Sequence, residues 1–228
     1  SWEGGLIVRP PRRISYCYNL HADIILVIDA SGSITAPIFN THTKMFAKSL
    51  VARFDVGPAK TRIGIVAYAA TIYYSLDPTF CYDVDCLYSK IDALTYPAGG
   101  TCTGNAIGMA ADILGAVAPP SGRERNRAKV IIVITDGNEE CGGGASTVPA
   151  QCDKARSKDI ELFAVAVGTD TFLNKPAARA DMNAICNNDE NYRFIAQDYA
   201  SMDDLFVERL QRQVCSTEFD RWGRESCE

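Results

Sequence analysis

Short apolar runs are spread along the chain, and polar or glycine-containing segments separate them. Three of them, Ile24–Ile28, Val130–Ile134 and Leu162–Val167, contain only apolar residues. They are too short to cross a bilayer, which takes about 20 apolar residues. They instead predict strands that are buried on both faces of a parallel sheet. Thr61–Ala69 and Tyr192–Ala196 predict two further strands.

Apolar positions between these strands recur at helical spacing. After the first strand, apolar residues follow steps of three and four and predict an amphipathic helix: Ile38, Met45, Phe46, Leu50 and Phe54. Further helices are predicted around Leu87–Leu94, from about residue 104 to Val117, around Pro176–Ile185 and at Met202–Val214. A glycine-rich loop is expected at residues 138–149.

The order of these elements predicts the topology. Alternating strands and helices are typical of a doubly wound α/β sheet with right-handed crossovers. The segment Thr71–Leu76 follows the preceding strand after only Ala69–Ala70, a link too short for a parallel crossover. We therefore expect a mostly parallel six-stranded sheet with one antiparallel edge strand and helices on both faces.

The length of 228 residues allows one large domain with tails. Residues 1–20 lack strand or helix periodicity and contain Pro10-Pro11, so we expect an extended N-terminal arm. The domain is predicted at residues 21–214, and a polar C-terminal arm at 215–228. The net charge of −5 argues against a nucleic-acid partner. No apolar run is long enough for a membrane span, so any membrane anchor is expected in segments outside this chain.

Nine cysteines are many for a chain of this size, and none has the Cys-x-x-Cys spacing of a zinc site. They favour an oxidising compartment, reached by the secretory pathway, and hence an extracellular or cell-surface protein. A cytosolic protein with buried free thiols is the alternative. The candidate disulfides join Cys81 to Cys86, Cys17 to Cys215 and Cys141 to Cys152. The partners of Cys102 and Cys186 are left open, and Cys227 is assigned to a following module.

A metal-binding loop is predicted directly after the first strand. Asp29, Ser31 and Ser33 form an Asp-x-Ser-x-Ser motif, at the edge where open α/β sheets place their ligands. One carboxylate and two hydroxyls supply half of an octahedral oxygen set, which suits Mg²⁺ or Mn²⁺. Asp29 could instead only cap the next helix. We expect this loop at the surface, so that replacing Asp29 causes little unfolding.

Two later segments complete a resemblance to a known family. Gly100-Thr101 and Thr135-Asp136-Gly137 follow the Asp29 motif in order. Together the three segments resemble a von Willebrand factor type A domain, the fold of the integrin inserted domain, over about residues 21–214. The resemblance implies a metal-ion-dependent adhesion site that consists of Asp29, Ser31, Ser33, Thr101 and Asp136. It further implies that Asp136 acts mostly through water and that a carboxylate of a partner protein completes the ion's ligand set.

A narrower resemblance involves the two ends of the chain. Cys17 and Cys215 bracket the domain, Arg123–Lys129 leads into a strand, and the tail Phe219–Cys227 resembles the start of a thrombospondin type 1 repeat. This order is similar to the thrombospondin-related anonymous protein family of apicomplexan adhesins, which implies gliding motility and host-cell invasion. The tail departs from the usual Trp-Ser-x-Cys at Trp222-Gly-Arg-Glu-Ser-Cys227. The alternative is a structural extracellular-matrix A domain, in which the ion stabilises the fold or binds matrix proteins.

The site residues do not match a known catalytic arrangement, so we predict that the chain is not an enzyme. A haloacid-dehalogenase-like phosphatase needs a second acid two residues after Asp29, where Ser31 stands. A serine hydrolase needs a base near Ser31 or Ser33, and the sequence lacks a Gly-x-Ser-x-Gly elbow. His21 precedes the strand and is therefore expected at its opposite end. His42 lies at least one helical turn beyond the serines, so neither histidine is placed as that base.

Basic residues before one strand are a candidate glycan-binding patch: Arg123, Arg125, Arg127 and Lys129, with help from Arg9, Arg12 and Arg13. Clustered positive charge attracts sulfated glycosaminoglycans without giving specificity. The alternative is a solvated surface. Both basic segments precede strands, so we expect the patch on the face opposite the metal.

Overall fold

The computed structural model describes residues 20–117, 127–137, 139–141, 147–168 and 175–222, with only the backbone described for 217–222. The strands are β1 (Ala22–Asp29), β2 (Arg62–Tyr68), β3 (Ile72–Leu76), β4 (Ala128–Thr135), β5 (Ile160–Val167) and β6 (Arg193–Ala196). They form one six-stranded sheet in the order β3-β2-β1-β4-β5-β6. All neighbouring strands are parallel except β2 and β3. The predicted sheet and its antiparallel edge strand are therefore confirmed.

The central strands of the sheet are buried because helices cover both of their faces. Every residue of β1 and β2 is buried, as the continuous apolar runs predict for a sheet between two helical layers. Position 64 in β2 requires glycine, because a Cβ there would lie 2.4 Å from the carbonyl oxygen of Leu76. Only glycine allows the end of β3 to approach β2 so closely.

The helices cover both faces of this sheet. They are α1 (Ala36–Ile38), a π-helix (Phe39–Thr43), α2 (Lys44–Val51), α3 (Val84–Asp92), α4 (Thr103–Ala116), α5 (Val148–Ser157), α6 (Pro176–Ile185) and α7 (Asp204–Trp222). One core lies under α2, α3 and α7, and the other lies under α4, α5 and α6. Within the described residues, no helix is long and apolar enough to cross a membrane.

Two helices differ from the sequence prediction. The helix α5 was not predicted, because only Val148, Cys152 and Ala155 of its ten residues are buried and its polar face obscures the helical period. The helix α7 continues to Trp222 rather than ending at Val214. Ser216–Glu218 are polar and interrupt the apolar stripe, so the sequence pattern does not reveal the last turns.

A buried ion cluster lies at the amino edge of the sheet. Asp23 in β1 accepts hydrogen bonds from Arg62 Nε and Nη2, both at 2.6 Å, and from Arg127 Nε at 3.0 Å. Arg127 also donates to the carbonyl oxygens of Ala22 and Lys60, and its side chain is only 3% exposed. The prediction that Arg127 binds glycans is therefore wrong, because this guanidinium holds β1, β2 and β4 together in the interior.

The disulfides agree only in part with the sequence prediction. Cys81 and Cys86 are joined, as predicted. Cys141 is joined to Cys102, so the predicted bond between Cys141 and Cys152 is wrong. Cys152 lies in the core as a free thiol, because α5 presents it to the sheet.

The remaining cysteines add little to this pattern. Cys186 is also free and buried. Cys215 is disulfide-bonded, but the predicted bond to Cys17 lies outside the described residues, as does Cys227.

The separation of 39 residues between Cys102 and Cys141 corresponds to about 4 kcal/mol of stabilisation in the chain-entropy model.

We expect the two buried thiols to resist alkylation in the folded protein. Burial is the main cause that raises the pKa of Cys152 to about 12, and it also raises the pKa of Cys186. Because the thiolate is the reactive form, iodoacetamide at pH 8 should label these two cysteines only after unfolding in urea without reductant. Peptide mapping under non-reducing conditions should recover Cys102 joined to Cys141. A peptide pair that joins Cys141 to Cys152 would contradict the structure.

Candidate metal centre

The loop after β1 places Asp29 at the carboxyl edge of the sheet, between β2 and β4. Its carboxylate accepts hydrogen bonds from the Ser31 N–H at 2.8 Å and from the Thr135 hydroxyl at 2.7 Å. Asp29 and Ser31 are both 0% exposed. The expectation that Asp29 lies at the surface is therefore wrong, because the end of β1 is covered by its neighbours.

The remaining residues of the motif meet Asp136, which follows β4. The Ser33 hydroxyl donates to Asp136 Oδ1 at 2.6 Å, and the Oγ atoms of Ser31 and Ser33 are 3.1 Å apart. Parallel pairing of β1 with β4 brings the two loops together. Ser33 is exposed and Asp136 half-buried, so this side of the cluster opens to solvent.

Thr101 reaches the same cluster from the loop before α4. It is 4% exposed, and the Gly32 N–H anchors its loop by donating to the Gly99 carbonyl at 2.8 Å. A Cβ on Gly137 would lie 3.6 Å from Thr101 Oγ1 and 3.7 Å from Ser33 Oγ. The absence of a side chain at Gly137 therefore leaves open the space between these two hydroxyls.

Burial shapes the acidity of the two carboxyl groups. Burial is the main cause that raises the pKa of Asp29, and hydrogen bonds from Ser31 and Thr135 oppose this rise. Burial likewise raises the pKa of Asp136 to about 6, opposed by the Ser33 hydroxyl and assisted by the negative charge of Asp29. Two carboxylates that share a poorly solvated site favour a cation between them.

The chemistry of the donor set fits a hard divalent cation. Two carboxylates and three hydroxyls from three loops offer only oxygen, the ligand type that Mg²⁺ and Mn²⁺ prefer. A second cluster, formed by Cys102, Glu139 and Cys141, has metal-like spacing. It does not suit a metal, because its two sulfur atoms are bonded to each other and a metal would need free thiolates.

Several residues that support the site were not predicted. Thr135 orients Asp29, and Tyr68 contacts the Thr103 hydroxyl at 2.9 Å in the buried layer below. Glu139 and Glu140 lie against the Thr101 loop.

Thr135 belongs to the recognised Thr135-Asp136-Gly137 segment and could have been inferred from it. The contacts of the two glutamates depend on a loop that the sequence pattern leaves without structure.

We expect cation affinity to rise with pH until about pH 7, one unit above the pKa of Asp136. Asp136 must lose its proton to face a cation, and its pKa is about 6 in the folded domain against about 4 in an unfolded chain. The raised pKa of Asp29 acts in the same direction. Titration calorimetry with MnCl₂ should show affinity that increases from pH 5 to 6 and levels off above pH 7.

The same shift predicts the opposite trend for the metal-free domain. Between about pH 4 and 6 the Asp136 carboxyl holds more protons in the folded state than in the unfolded chain, so its contribution makes the free energy of unfolding fall as the pH rises. Urea denaturation in chelator measures this trend. Constant cation affinity from pH 5 to 7 would contradict the assignment of Asp136.

An open α/β sheet with an oxygen-rich cluster at its carboxyl edge defines a ligand-binding α/β domain. The family model of the von Willebrand factor type A domain matches residues 23–208. The chain therefore belongs to the von Willebrand factor type A family.

Comparison with known proteins adds two relatives and one solved structure of similar fold. The transmembrane cell adhesion receptor mua-3 of Caenorhabditis elegans is 27% identical over 211 residues, which is 90% of this chain and 5% of the receptor. Human matrilin-3 is 28% identical over 226 residues, which is 95% of this chain and 42% of matrilin-3. The structure of proximal thread matrix protein 1 from the mussel byssus, with a zinc-occupied MIDAS motif, has a TM-score of 0.72 at 17% identity and covers 87% of this chain and 49% of that chain.

The structural likeness to the mussel protein shows the fold alone. The chain spans less than half the length of each of these relatives.

Proposed function

We propose that this domain is a divalent-cation-dependent adhesion domain that binds an acidic group of a partner protein. The observation that carries the proposal is the convergence of Asp29, Ser33 and Asp136 with two buried hydroxyl residues at one edge of the sheet. Asp29, Ser31, Ser33 and Thr101 would hold Mg²⁺ or Mn²⁺, and Asp136 would act mostly through water. When bound, the ion supplies a positive centre for a carboxylate.

The charge of the donor set supports an acidic ligand. Three of the five side chains, those of Ser31, Ser33 and Thr101, are hydroxyls and add no negative charge. Asp29 would be the one carboxylate bound to the ion directly, and Asp136 would act mostly through water. The directly bound ligands would therefore carry one negative charge against two positive charges, so a carboxylate from outside would be attracted to the ion. The groups assembled here bind and position a ligand, and we propose adhesion without catalysis.

The proposed location is extracellular or at the cell surface, reached by the secretory pathway. Disulfides persist in oxidising compartments, and the described residues contain the bonds Cys81–Cys86 and Cys102–Cys141. The relatives named above, a cell adhesion receptor and a matrilin, agree with this location. The proposed partner is a protein receptor or matrix protein.

The test measures binding of the chain to an immobilised basement-membrane extract in Mg²⁺ and in EDTA. We expect binding that is lost in EDTA and also lost after the carboxyl groups of the extract are amidated with carbodiimide and ethanolamine. Binding that survives both treatments would refute the proposal. If Mg²⁺ raises the melting temperature but EDTA leaves binding unchanged, the structural matrix module is the better description.

A sulfated-glycan contact is a separate proposal that now rests on fewer residues. Arg127 is buried, Lys129 is half-buried, and Arg123 and Arg125 lie outside the described residues, as do Arg9, Arg12 and Arg13. Heparinase treatment of the extract tests the proposal. Loss of binding after heparinase but not after EDTA would favour the glycan over the metal.

The finer assignment concerns the biological setting. We propose a role in apicomplexan gliding motility and host-cell invasion, which the tail Phe219–Cys227 supports through its likeness to a thrombospondin type 1 repeat. A matrix A domain agrees equally well with the matrilin relatives. Sequencing the transcript beyond the codon for Glu228 distinguishes them, since a cysteine-rich repeat followed by a membrane span supports the first and further A domains or collagen repeats support the second.

A further inference from the structure

Residues Glu139–Cys141, which we name the clamp segment, lie directly against the loop that carries Thr101. The Glu140 N–H donates to the Thr101 carbonyl at 2.8 Å. In return, the Thr101 N–H donates to Glu140 Oε2 at 3.3 Å. Cys141, the next residue, is bonded to Cys102. Thr101 is therefore held on its carbonyl side, on its N–H side and through its covalent neighbour.

Glu139 fixes the clamp segment to the helix that follows Thr101. Its Oε2 accepts a hydrogen bond from the Gly104 N–H at 2.6 Å, and its Oε1 accepts one from the Cys141 N–H at 2.9 Å. Gly104 lies in the first turn of α4. A carboxylate is favoured there, because the first N–H groups of a helix have no acceptor within the helix. The Glu139 N–H in turn donates to Asp181 Oδ2 in α6 at 2.9 Å.

The clamp segment therefore joins two parts of the metal site that the sheet does not join directly. Asp136 follows β4, whereas Thr101 lies in the loop before α4 and belongs to no strand of the sheet. Without the disulfide, the contacts between them reduce to a few hydrogen bonds at a partly exposed edge. Such bonds exchange with water at little net cost, so the position of the Thr101 hydroxyl would be less well defined.

We infer that the clamp segment positions Thr101 for the cation, and that the oxidation state of Cys102 and Cys141 sets the cation affinity of the domain. This inference rests on the proposed metal site. Glu140 is a positioning residue, because it acts through Thr101. Partners that orient a metal ligand typically change metal affinity by about 10- to 100-fold.

The disulfide is open to a dithiol reductant on one side. Cys141 is exposed, whereas Cys102 is 2% exposed. A thiolate of the dithiol would attack Cys141 Sγ, break the protein S–S bond and form a mixed disulfide, while Cys102 leaves as a thiolate and takes up a proton. The second thiol of the reductant then displaces Cys141 as a thiol, and the dithiol becomes a cyclic disulfide.

Titration calorimetry of the full chain with MnCl₂ tests the disulfide. We expect Cys102→Ser/Cys141→Ser to bind Mn²⁺ at least about tenfold more weakly than the wild type. The matched control, Cys81→Ser/Cys86→Ser, removes the other described disulfide near the far end of β3 and should change the affinity less than about twofold. Equal affinity of the wild type and the Cys102 and Cys141 variant would overturn the inference. If that variant does not fold, the Cys81→Ser/Cys86→Ser variant is measured before and after reduction with dithiothreitol, so that a change in affinity is not due to the Cys81–Cys86 bond. Equal affinity before and after reduction would overturn the inference.

The second measurement separates position from charge at Glu140. Glu140→Ala should weaken Mn²⁺ binding, whereas Glu140→Gln should restore it, because the amide oxygen still accepts from the Thr101 N–H. If glutamine is as weak as alanine, the positioning role is overturned. If the wild type itself binds no Mn²⁺, the proposed function fails together with the inference. If the wild type binds Mn²⁺ and the variants bind it with the same affinity, the inference is refuted and the proposed function stands.

Discussion

Replacing Asp29 with asparagine is expected to lower the affinity for Mg²⁺ by at least about 100-fold, since loss of one partner from a buried charge pair costs about 3–5 kcal/mol. The asparagine oxygen can still accept the hydrogen bond that the Ser31 N–H donates to Asp29 Oδ1. Its amide nitrogen replaces Asp29 Oδ2 and can donate to the Thr135 hydroxyl oxygen, so that contact is kept with its direction reversed. Because burial raises the pKa of the Asp29 carboxyl, removing its charge should not lower the stability of the metal-free domain. Titration calorimetry with MgCl₂ and urea denaturation in EDTA measure the two effects separately.

Two further variants complete this experiment. Asp29→Ala leaves the Ser31 N–H and the Thr135 hydroxyl without their acceptor, which should cost about 1–3 kcal/mol of stability. Asp153→Asn is the control, because its side chain is 81% exposed and lies in α5. Unchanged Mg²⁺ affinity in Asp29→Asn would remove the basis for the metal site.

Asp23→Ala should destabilise the domain by about 3–5 kcal/mol, the usual cost of breaking a buried ion pair from one side. The side chains of Arg62 and Arg127 are 7% and 3% exposed, and both bind Asp23. Without the carboxylate, two buried guanidinium groups would lose the negative charge that both of them bind. The midpoint of urea denaturation measures the loss.

The matched control for this cluster is Asp112→Ala. Asp112 also contacts two cations, Lys154 and Lys158, both at 2.7 Å, but it is 56% exposed. Exposed ion pairs contribute about 0–1 kcal/mol, so this variant should unfold close to the wild-type midpoint. Similar midpoints for Asp23→Ala and Asp112→Ala would show that the buried cluster does not stabilise the fold.

The agreement between sequence and structure follows from how strongly each feature is encoded locally. The strands β1 and β4 are continuous apolar runs, and burial on both faces makes that pattern unambiguous. The short link Ala69–Ala70 decided the direction of β3 by chain geometry alone. The helix α5 escaped prediction because Cys152 and Ala155 are small and its remaining surface is polar.

The sequence by itself determined the strand order along the chain, the edge at which the loops meet and the identity of the oxygen-bearing side chains. These depend on hydrophobic period and on the short spacing within Asp29–Ser33. Only the tertiary structure decided that Arg127 lies inside an ion cluster rather than on a basic surface, and that Cys141 bonds Cys102 rather than Cys152. Both outcomes depend on which distant segments pack together, and residue spacing carries no record of such contacts. The buried state of Asp29 has the same cause, since β2 and β4 cover it from positions far away in the chain.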